Sequence, residues 1–287
     1  MAKIKIIIDT AADMPEADIK KYNFGVLRFM SVFGEKSYES GKDITNEEFY
    51  TMLDKSKKIP TTSQTPYMTI YETFEKAAKE NDTVIYFTIS SKASGQNHTA
   101  HMVAEEVVEN NPDANIKIVD TLNFSAYISY AAIEAAKKFD AGREDIDKVI
   151  EESLEDMNKW KAYFLVDDMK YLEKGGRINK TTAVVGSLLD IKPVLTINDG
   201  LVAFEDKLRG KKKVLDKLIA KMEDDEAFDA DANRFLIVHS DIDAGNDLKE
   251  KLEENYGEGS VEGMYEIGAI VGTHLGRGAV AVLFRTK

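Results

Sequence analysis

Residues 84–119 decide the fold, and they read VIYFTISSKASGQNHTAHMVAEEVVENNPDANIKIV. The apolar run Val84–Ile89 predicts a buried strand, Thr99–Glu109 an amphipathic helix, and Ile116–Val119 a second buried strand. Two strands joined by a crossover helix pair in parallel through a right-handed connection. This stretch therefore predicts an α/β unit built on a parallel sheet.

The same alternation extends to both sides of this stretch. Ile4–Ile8 predicts another buried strand, whereas Tyr67–Lys79 and Ala126–Phe139 predict helices. Val26–Phe33 alternates apolar and polar residues, which favours an edge hairpin. We therefore predict an N-terminal α/β domain over residues 1–158, with a mostly parallel sheet and flanking helices.

The pattern changes after Asn158. Apolar stretches on both sides of Asn198-Asp199-Gly200 predict a hairpin, because Asp-Gly supplies the positive φ angles of a tight turn. Further strands alternate with two helical stretches toward the end of the chain. We predict a C-terminal α+β domain over residues 159–287, with strands at Phe235–His239, Val261–Tyr265 and Val280–Arg285.

The composition excludes several classes of protein. The chain has 287 residues, of which 51 are Asp or Glu and 38 are Lys or Arg, so its net charge is −13. An acidic excess argues against non-specific binding to nucleic acid or to anionic membranes, since both need clustered cations. The absence of cysteine excludes disulfides, thiolate metal sites and cysteine nucleophiles.

We expect neither a signal peptide nor a membrane span. The apolar run Ile4–Ile8 is ended by Asp9 and is too short for the core of a signal peptide. No stretch approaches the ~18 apolar residues that a membrane span needs. We expect a soluble, cytoplasmic protein.

Small hydroxyl residues follow several of the predicted strands. Open α/β sheets bind ligands beyond the carboxyl ends of their strands, and hydroxyls with free N–H groups at a helix start suit an anion. The same residues are also ordinary helix caps, so both readings stay open. The segments concerned are Asp9-Thr10, Pro60–Pro66, Ser90–Gly95 and Asp120-Thr121.

Two alternatives from other classes use the same residues. No Gly-x-Ser-x-Gly elbow is present, but Ser94 with His274 would suit a serine esterase. The hydroxyl loops would also suit a nucleotide or phosphosugar. His98 and His101 share a helical face without a third ligand at metal-site spacing, so we expect no metal.

Three segments of the second half combine glycines with cations or histidine. Lys174-Gly175-Gly176-Arg177 presents an arginine beside a flexible glycine pair. Leu208–Lys213 places four cations in five residues of an otherwise acidic chain. Ile267–Gly278 embeds His274 among glycines, which bring backbone close to other groups.

At these residues the sequence resembles the DegV family over essentially its whole length. Asp9–Pro15 resembles the family's opening D-S-x-x-D-L-P. Five further motifs match in order: Thr61–Gln64 (T-T-S-Q), Ile89–Gly95 (I-S-S-x-L-S-G), Tyr171–Ile178 (Y-L-x-K-G-G-R-I), Ile191–Leu195 followed by Asp199-Gly200 (I-K-P-I-L…D-G), and Gly272–His274 (G-T-H). The chain departs from the pattern at Ala93, where Leu is common, at Gln96, where Thr is common, and at Arg277, where Pro is common.

The resemblance implies a two-domain protein that holds one long-chain fatty acid between its domains, without a cofactor. It implies a bacterial carrier subunit of fatty acid kinase, not an enzyme in itself. Its partner is a dihydroxyacetone-kinase-like ATP-binding protein that converts the bound acid to an acyl phosphate. By motif position, Thr62 and Ser94 hold the carboxylate, with Ser63, Gly95 and His274 beside it. Arg209 belongs near the head group, and Arg209, Arg177 and Lys211 face the phosphate or the partner.

Overall fold

The computed structural model describes residues 3–179, 191–209 and 213–287. Strands and helices alternate through much of the chain. The strands are β1 (Ile4–Asp9), β2 (Gly25–Leu27), β3 (Met30–Phe33), β4 (Lys36–Glu39), β5 (Thr61–Ser63), β6 (Thr83–Thr88), β7 (Ile116–Asp120), β8 (Trp160–Leu165), β9 (Ile191–Asn198), β10 (Leu201–Arg209), β11 (Phe235–His239), β12 (Val261–Glu266) and β13 (Val280–Arg285). The helices are α1 (Glu16–Lys21), α2 (Asn46–Lys55), α3 (Tyr67–Glu80), α4 (Gln96–Asn110), α5 (Ala126–Asp140), α6 (Ile146–Asn158), α7 (Lys170–Gly175), α8 (Val214–Glu223), α9 (Ile242–Tyr256) and α10 (Ala269–Leu275).

The first sheet is parallel throughout and runs in the order β2-β1-β6-β7. Side chains of a strand point alternately to its two faces. Ile7 packs with α3 and α4 on one face, while Ile6 and Ile8 pack with α5 on the other. Both faces are covered, which explains the unbroken apolar runs of this sheet. The parallel sheet predicted from residues 84–119 is confirmed.

A smaller antiparallel sheet, in the order β4-β3-β5, lies beside the first. The hairpin predicted over Val26–Phe33 is wrong, because this segment divides between two sheets. β2 pairs with β1 in the parallel sheet, whereas β3 pairs with β4 and β5. The chain changes sheets at Arg28-Phe29, where the N–H of Phe29 donates to Oγ1 of Thr10 at 3.1 Å.

The second large sheet has the order β10-β9-β8-β13-β11-β12. Its strands pair antiparallel except β11 and β12, which are parallel and joined by α9. The predicted hairpin is confirmed, since β9 and β10 pair across Asp199 and Gly200, with φ angles of 47° and 75°. A mixed sheet of this kind agrees with the predicted α/β fold with a second, α+β part.

The predicted domain boundary falls where α6 ends and β8 begins. The division into domains 1–158 and 159–287 stays a prediction, because one apolar core contains side chains of α5 together with side chains of β8, β11 and β13. The sequence also predicts a helix over Thr181–Leu189, but this segment lies outside the described residues. Among the helices that the structure does describe, none has the length and apolar character to cross a bilayer.

Candidate functional site

A cavity of about 190 Å³ lies between the parallel sheet and the six-stranded sheet. Phe29 and Tyr127, from the N-terminal half of the chain, line one side of it. The six-stranded sheet lines the other side with Phe164 of β8, Val238 of β11 and Leu283 of β13. Most of its lining side chains are apolar. Small-molecule sites in proteins typically have apolar walls of this kind. This cavity is therefore a candidate site for an elongated apolar ligand.

The polar lining comes largely from segments singled out in the sequence. The loop of Thr62 contacts the helix that follows Ser94, since Nε2 of Gln64 donates to Oγ1 of Thr99 in α4 at 2.9 Å. The structure brings together on this cavity Thr62, Ser63, Gln64, Ser94, Gly95, Arg177 and His274, with Ser125 also in the lining.

Thr62 and His274 are hydrogen-bonded to each other in the cavity wall. Thr62 lies in β5 and His274 in α10, and Oγ1 of Thr62 is 3.1 Å from Nε2 of the histidine. Nδ1 of His274 is buried without a hydrogen-bond partner in the described part of the chain. A buried N–H without an acceptor costs ~1–3 kcal/mol, so we place the ring proton on Nε2, donating to Thr62.

The imidazole of His274 is neutral at pH 7. Burial, reinforced by the charge of Arg177, lowers its pKa to about 4. A Cβ atom on Gly175 would stand 2.2 Å from Nδ1, so the absence of a side chain there lets α7 lie directly against the ring. With Nε2 as the donor, the hydroxyl of Thr62 keeps its own proton for a ligand in the cavity.

Ser94 has a matching hydrogen-bond arrangement. It precedes α4, and its Oγ accepts from the N–H of Gln96 at 3.2 Å. A serine hydroxyl has one proton to donate besides its lone pairs. Like Thr62, Ser94 therefore accepts from a protein N–H and retains a proton for a ligand. Two donors of this kind suit an acceptor-only group such as a carboxylate, and the start of α4 adds the positive end of a helix dipole.

Arg177 joins the two halves of the polar region. Its Nε donates to the carbonyl of Ala93 at 3.0 Å, and its Nη1 donates to the carbonyl of Gly175. The contacts run without interruption from Thr62 through His274, Gly175 and Arg177 to the loop of Ser94. The guanidinium places positive charge at the same side of the cavity as the two hydroxyls.

The remaining polar residues from the sequence analysis lie elsewhere. Arg209 is exposed at the end of β10 and does not line the cavity, so the structure does not bring it to the head-group region. Lys211 lies outside the described residues. Thr10 and Thr121 serve structural hydrogen bonds, to the N–H of Phe29 and the carbonyl of Thr88. For these two threonines, the structural reading is the one supported.

Two buried carboxyl groups were not recognised as such from the sequence. Burial raises the pKa of Asp9 to about 6 and that of Asp13 to about 7. Asp13 accepts from Oγ of Ser125 at 2.6 Å and from the N–H of Gly268 at 2.9 Å. It therefore ties the start of α5 to the segment preceding α10. An acid after a strand reads as a helix cap in sequence, and Asp9 does cap, accepting from the N–H of Ala11 at 3.0 Å.

The geometry does not favour a serine hydrolase. A triad needs a histidine that contacts the nucleophile on one side and an acid on the other. The hydroxyl partner of His274 is Thr62, not Ser94, and Nδ1 has no carboxylate partner in the described residues. A pKa of about 4 also makes this imidazole a weak base at pH 7. In those same ranges, no cluster of three or more His, Asp or Glu residues is arranged to hold a metal ion.

Comparisons with known proteins agree on one family. The DegV family model, described as "Uncharacterised protein, DegV family", matches residues 3–287. A DegV domain-containing protein of Clostridium perfringens is 33% identical over 292 residues, covering 99% of this chain and 98% of the relative. DegV of Bacillus subtilis, described as a fatty acid binding protein, superposes with a TM-score of 0.86 at 27% identity over 100% of both chains. A DegV lipid binding protein of Thermotoga maritima superposes with a TM-score of 0.83 at 30% identity, covering 99% of this chain and 98% of that one.

Proposed function

This chain belongs to the DegV family, and on that premise we propose that it binds a single long-chain fatty acid in the cavity between its two larger sheets. The carboxylate accepts hydrogen bonds from Thr62 and Ser94, and the acyl tail lies along the apolar lining. One observation carries the proposal: a mostly apolar cavity of about 190 Å³ is lined by the hydroxyls of Thr62 and Ser94, each hydrogen-bonded to a protein nitrogen. The similarity to solved proteins described as fatty acid binding or lipid binding supports it.

The tail supplies the affinity in this proposal. A sixteen-carbon acid offers about fifteen carbons for burial at ~0.8 kcal/mol each, on the order of 12 kcal/mol. Association costs of ~4–15 kcal/mol offset much of that gain. A net affinity in the micromolar range or tighter therefore requires that the head group enter the cavity with little additional loss.

The two hydroxyls lower the free-energy cost of moving the carboxylate from water into the cavity. An ionised carboxylate without partners in an apolar environment is prohibitively unfavourable. Hydrogen bonds to a charged group contribute ~1.5–3 kcal/mol each, so Thr62 and Ser94 offset the loss of water. Both donors are uncharged, and they leave the carboxylate oxygens more nucleophilic than a bidentate arginine clamp would.

We further propose that the bound acid is presented to an ATP-using kinase partner of the dihydroxyacetone-kinase-like type. A carboxylate oxygen attacks the γ-phosphorus of ATP, the bond to the β-phosphate oxygen breaks, and acyl phosphate and ADP result. Arg177, which lines the same side of the cavity, stabilises the negative charge that arrives with the phosphoryl group. The motif resemblance supports this role, and an ATP-using partner places the protein in the cytoplasm.

Equilibrium binding tests the first proposal. Delipidated protein titrated with palmitic acid is expected to bind one molecule per chain, whereas the methyl ester binds more weakly because it cannot carry the charge that the hydroxyls recognise. Equal affinity for acid and ester would exclude a carboxylate site, and no binding of either would exclude a lipid site.

A trapping assay tests the second proposal. Protein loaded with fatty acid, mixed with the kinase and ATP, is expected to yield an acyl phosphate that hydroxylamine converts to a hydroxamate. Loaded protein that forms no hydroxamate with an active kinase would reject the carrier role. Hydrolysis of a p-nitrophenyl ester by the protein alone, lost in Ser94→Ala, would favour the esterase alternative instead.

A further inference from the structure

A chain of buried hydrogen bonds lies behind the two hydroxyl loops. The hydroxyl of Tyr86 donates to Oδ2 of Asp9 at 2.9 Å and accepts from Nε2 of Gln96 at 3.1 Å. Oε1 of Gln96 in turn accepts from the backbone N–H of Thr65 at 3.1 Å. All four side chains are fully buried. None of their polar groups contacts the cavity, so the proposed lipid binding leaves this chain of bonds without an assigned role.

Within this series of hydrogen bonds, Gln96 is the residue that contacts both the Thr62 loop and the Ser94 loop. Its backbone N–H donates to Oγ of Ser94 at 3.2 Å, and its side chain holds the N–H of Thr65, three residues beyond Thr62. The loop of Thr65 is fixed on its other side by the Thr65 hydroxyl, which donates to the carbonyl of Arg28 at 3.1 Å. The amide of Gln96, together with the bond from Gln64 to Thr99 in α4, therefore holds the Thr62 loop at a fixed distance from the Ser94 loop.

We propose that Gln96 is a positioning residue that fixes the spacing of the Thr62 and Ser94 hydroxyls and thereby makes the cavity selective for a carboxylate over other alkyl head groups. This inference rests on the proposed fatty-acid site and deepens it. A carboxylate engages two donors at once only when their separation matches its two oxygens, whereas an alcohol needs one partner. Loss of the spacing therefore costs the acid more than it costs an alcohol with the same tail.

The burial of Gln96 explains why the spacing is well defined. If the side-chain amide of Gln96 moved, the buried N–H of Thr65 or the buried hydroxyl of Tyr86 would lose a hydrogen-bond partner. Such a movement is strongly disfavoured. With Asp9 also held by the N–H groups of Ile89 and Ala11, the far end of the chain is anchored at the end of β1. The positions of both loops are therefore fixed relative to the parallel sheet, and not only relative to each other.

The test compares head-group selectivity in Gln96→Met and in a matched control. Methionine preserves the side-chain volume and removes both hydrogen bonds that the side-chain amide of Gln96 makes. Asn97→Ala removes a buried hydrogen bond in the same helical turn, from Nδ2 of Asn97 to Oγ1 of Thr88 at 3.0 Å, which joins neither hydroxyl loop. Affinities for palmitic acid and hexadecanol are measured on delipidated full-length protein by displacement of a neutral fluorescent alkyl probe.

We expect Gln96→Met to lower the affinity for the acid by roughly tenfold, about the effect of one charge-assisted hydrogen bond. The affinity for the alcohol is expected to change by less than about threefold, and Asn97→Ala to keep the selectivity of the unmodified protein. Equal losses for acid and alcohol, or unchanged selectivity, would overturn the inference while leaving the fatty-acid site intact. An unmodified protein that binds neither ligand would reject the proposed lipid site, and one that binds both equally would reject the proposed carboxylate site.

A second measurement needs no ligand. Displacement of the Thr62 loop changes the hydrogen bond to Nε2 of His274, so Gln96→Met is expected to shift the imidazole NMR signals of His274, and Asn97→Ala to leave them in place. If Gln96→Met does not fold, Gln96→Glu serves in its place. It keeps an oxygen for the Thr65 N–H but loses the donor to Tyr86, so we expect a smaller loss of selectivity. Unmoved His274 signals in the folded variant would contradict the positioning role.

Discussion

The hydroxyl of Thr62 lies 3.1 Å from Nε2 of His274, and the two residues are 212 positions apart in the chain. This bond joins the small sheet that accompanies the first half of the fold to α10 in the second half. Gly175 supports the imidazole from behind, because no side chain stands between α7 and the ring. This polar part of the cavity is therefore built only when both halves of the chain are folded against each other.

Removal of the hydroxyls is expected to weaken acid binding without unfolding the protein. Thr62→Val and Ser94→Ala should each reduce the affinity for palmitic acid by ~1.5–3 kcal/mol, and the double variant more than either. The measurement is equilibrium binding to delipidated protein. Thr61→Val and Ser91→Ala, which alter exposed neighbours in the same two segments, serve as controls. Unchanged affinity in both single variants would reject the assignment of these hydroxyls.

The contact of Gly175 with His274 predicts a sensitive position far from the hydroxyl loops in sequence. In Gly175→Ala the new Cβ would stand 2.2 Å from Nδ1, so the ring must move and its bond to Thr62 is lost. We expect a loss of unfolding free energy of ~1–3 kcal/mol and weaker acid binding. Gly176→Asn is the control, because that position has open space around it and a φ of 67° that Asn tolerates. Equal behaviour of the two variants would show that the ring is not held by this contact.

The size of the apolar cavity predicts which chain lengths bind. Ala281 on β13 lines the cavity opposite Phe164 of the neighbouring strand. In Ala281→Leu the larger side chain fills part of the volume without altering the hydroxyls. We expect affinity for acids of about eighteen carbons to fall by ~1–3 kcal/mol while shorter acids keep theirs. A series of saturated acids measures this, and a uniform loss at every length would place the tail elsewhere.

The buried carboxyl of Asp13 predicts a pH dependence of stability. Burial raises its pKa to about 7 in the folded protein, so between about pH 4 and pH 7 the folded state binds more protons than the unfolded state. The unfolding free energy therefore falls as the pH rises through that window. Asp13→Asn cannot titrate and keeps an oxygen for the N–H of Gly268. We expect this variant to lose less stability between about pH 5 and pH 8, by on the order of 1–3 kcal/mol.

Urea unfolding of both proteins across this range measures the effect. The comparison between variants is needed because the lowered pKa of His274 acts in the opposite direction, adding stability as the pH rises from about 4 toward its unfolded value. Parallel pH profiles of the two proteins would show that Asp13 does not titrate in this range.

Local patterns in the sequence predict most of the fold. The runs Ile4–Ile8 and Val84–Ile89 indicate strands because both faces of a parallel sheet are covered. Asp199-Gly200 indicates the hairpin because only a few residue types adopt positive φ at a tight turn. The hairpin predicted over Val26–Phe33 is wrong because a period of two identifies strands but not the sheet in which each strand pairs.

The site is only partly predictable from sequence. Motif positions identify Thr62, Ser94 and His274, which the structure places on one cavity. Periodicity carries no information on which side chains meet across 212 residues. The sequence also does not reveal the role of Gly175, because that role depends on the absence of a Cβ atom beside the ring of His274. The run of cations that includes Arg209 predicts a positive charge but not where the side chains point. In the structure Arg209 is exposed and does not line the cavity.

The most direct test of the account is to ask what the protein already holds when it is purified from cells. Native mass spectrometry is expected to show the chain with one additional mass in the range of a long-chain fatty acid, and denaturation to release that acid in a one-to-one ratio. Protein that stays empty after purification, and after incubation with a mixture of such acids, would contradict the account.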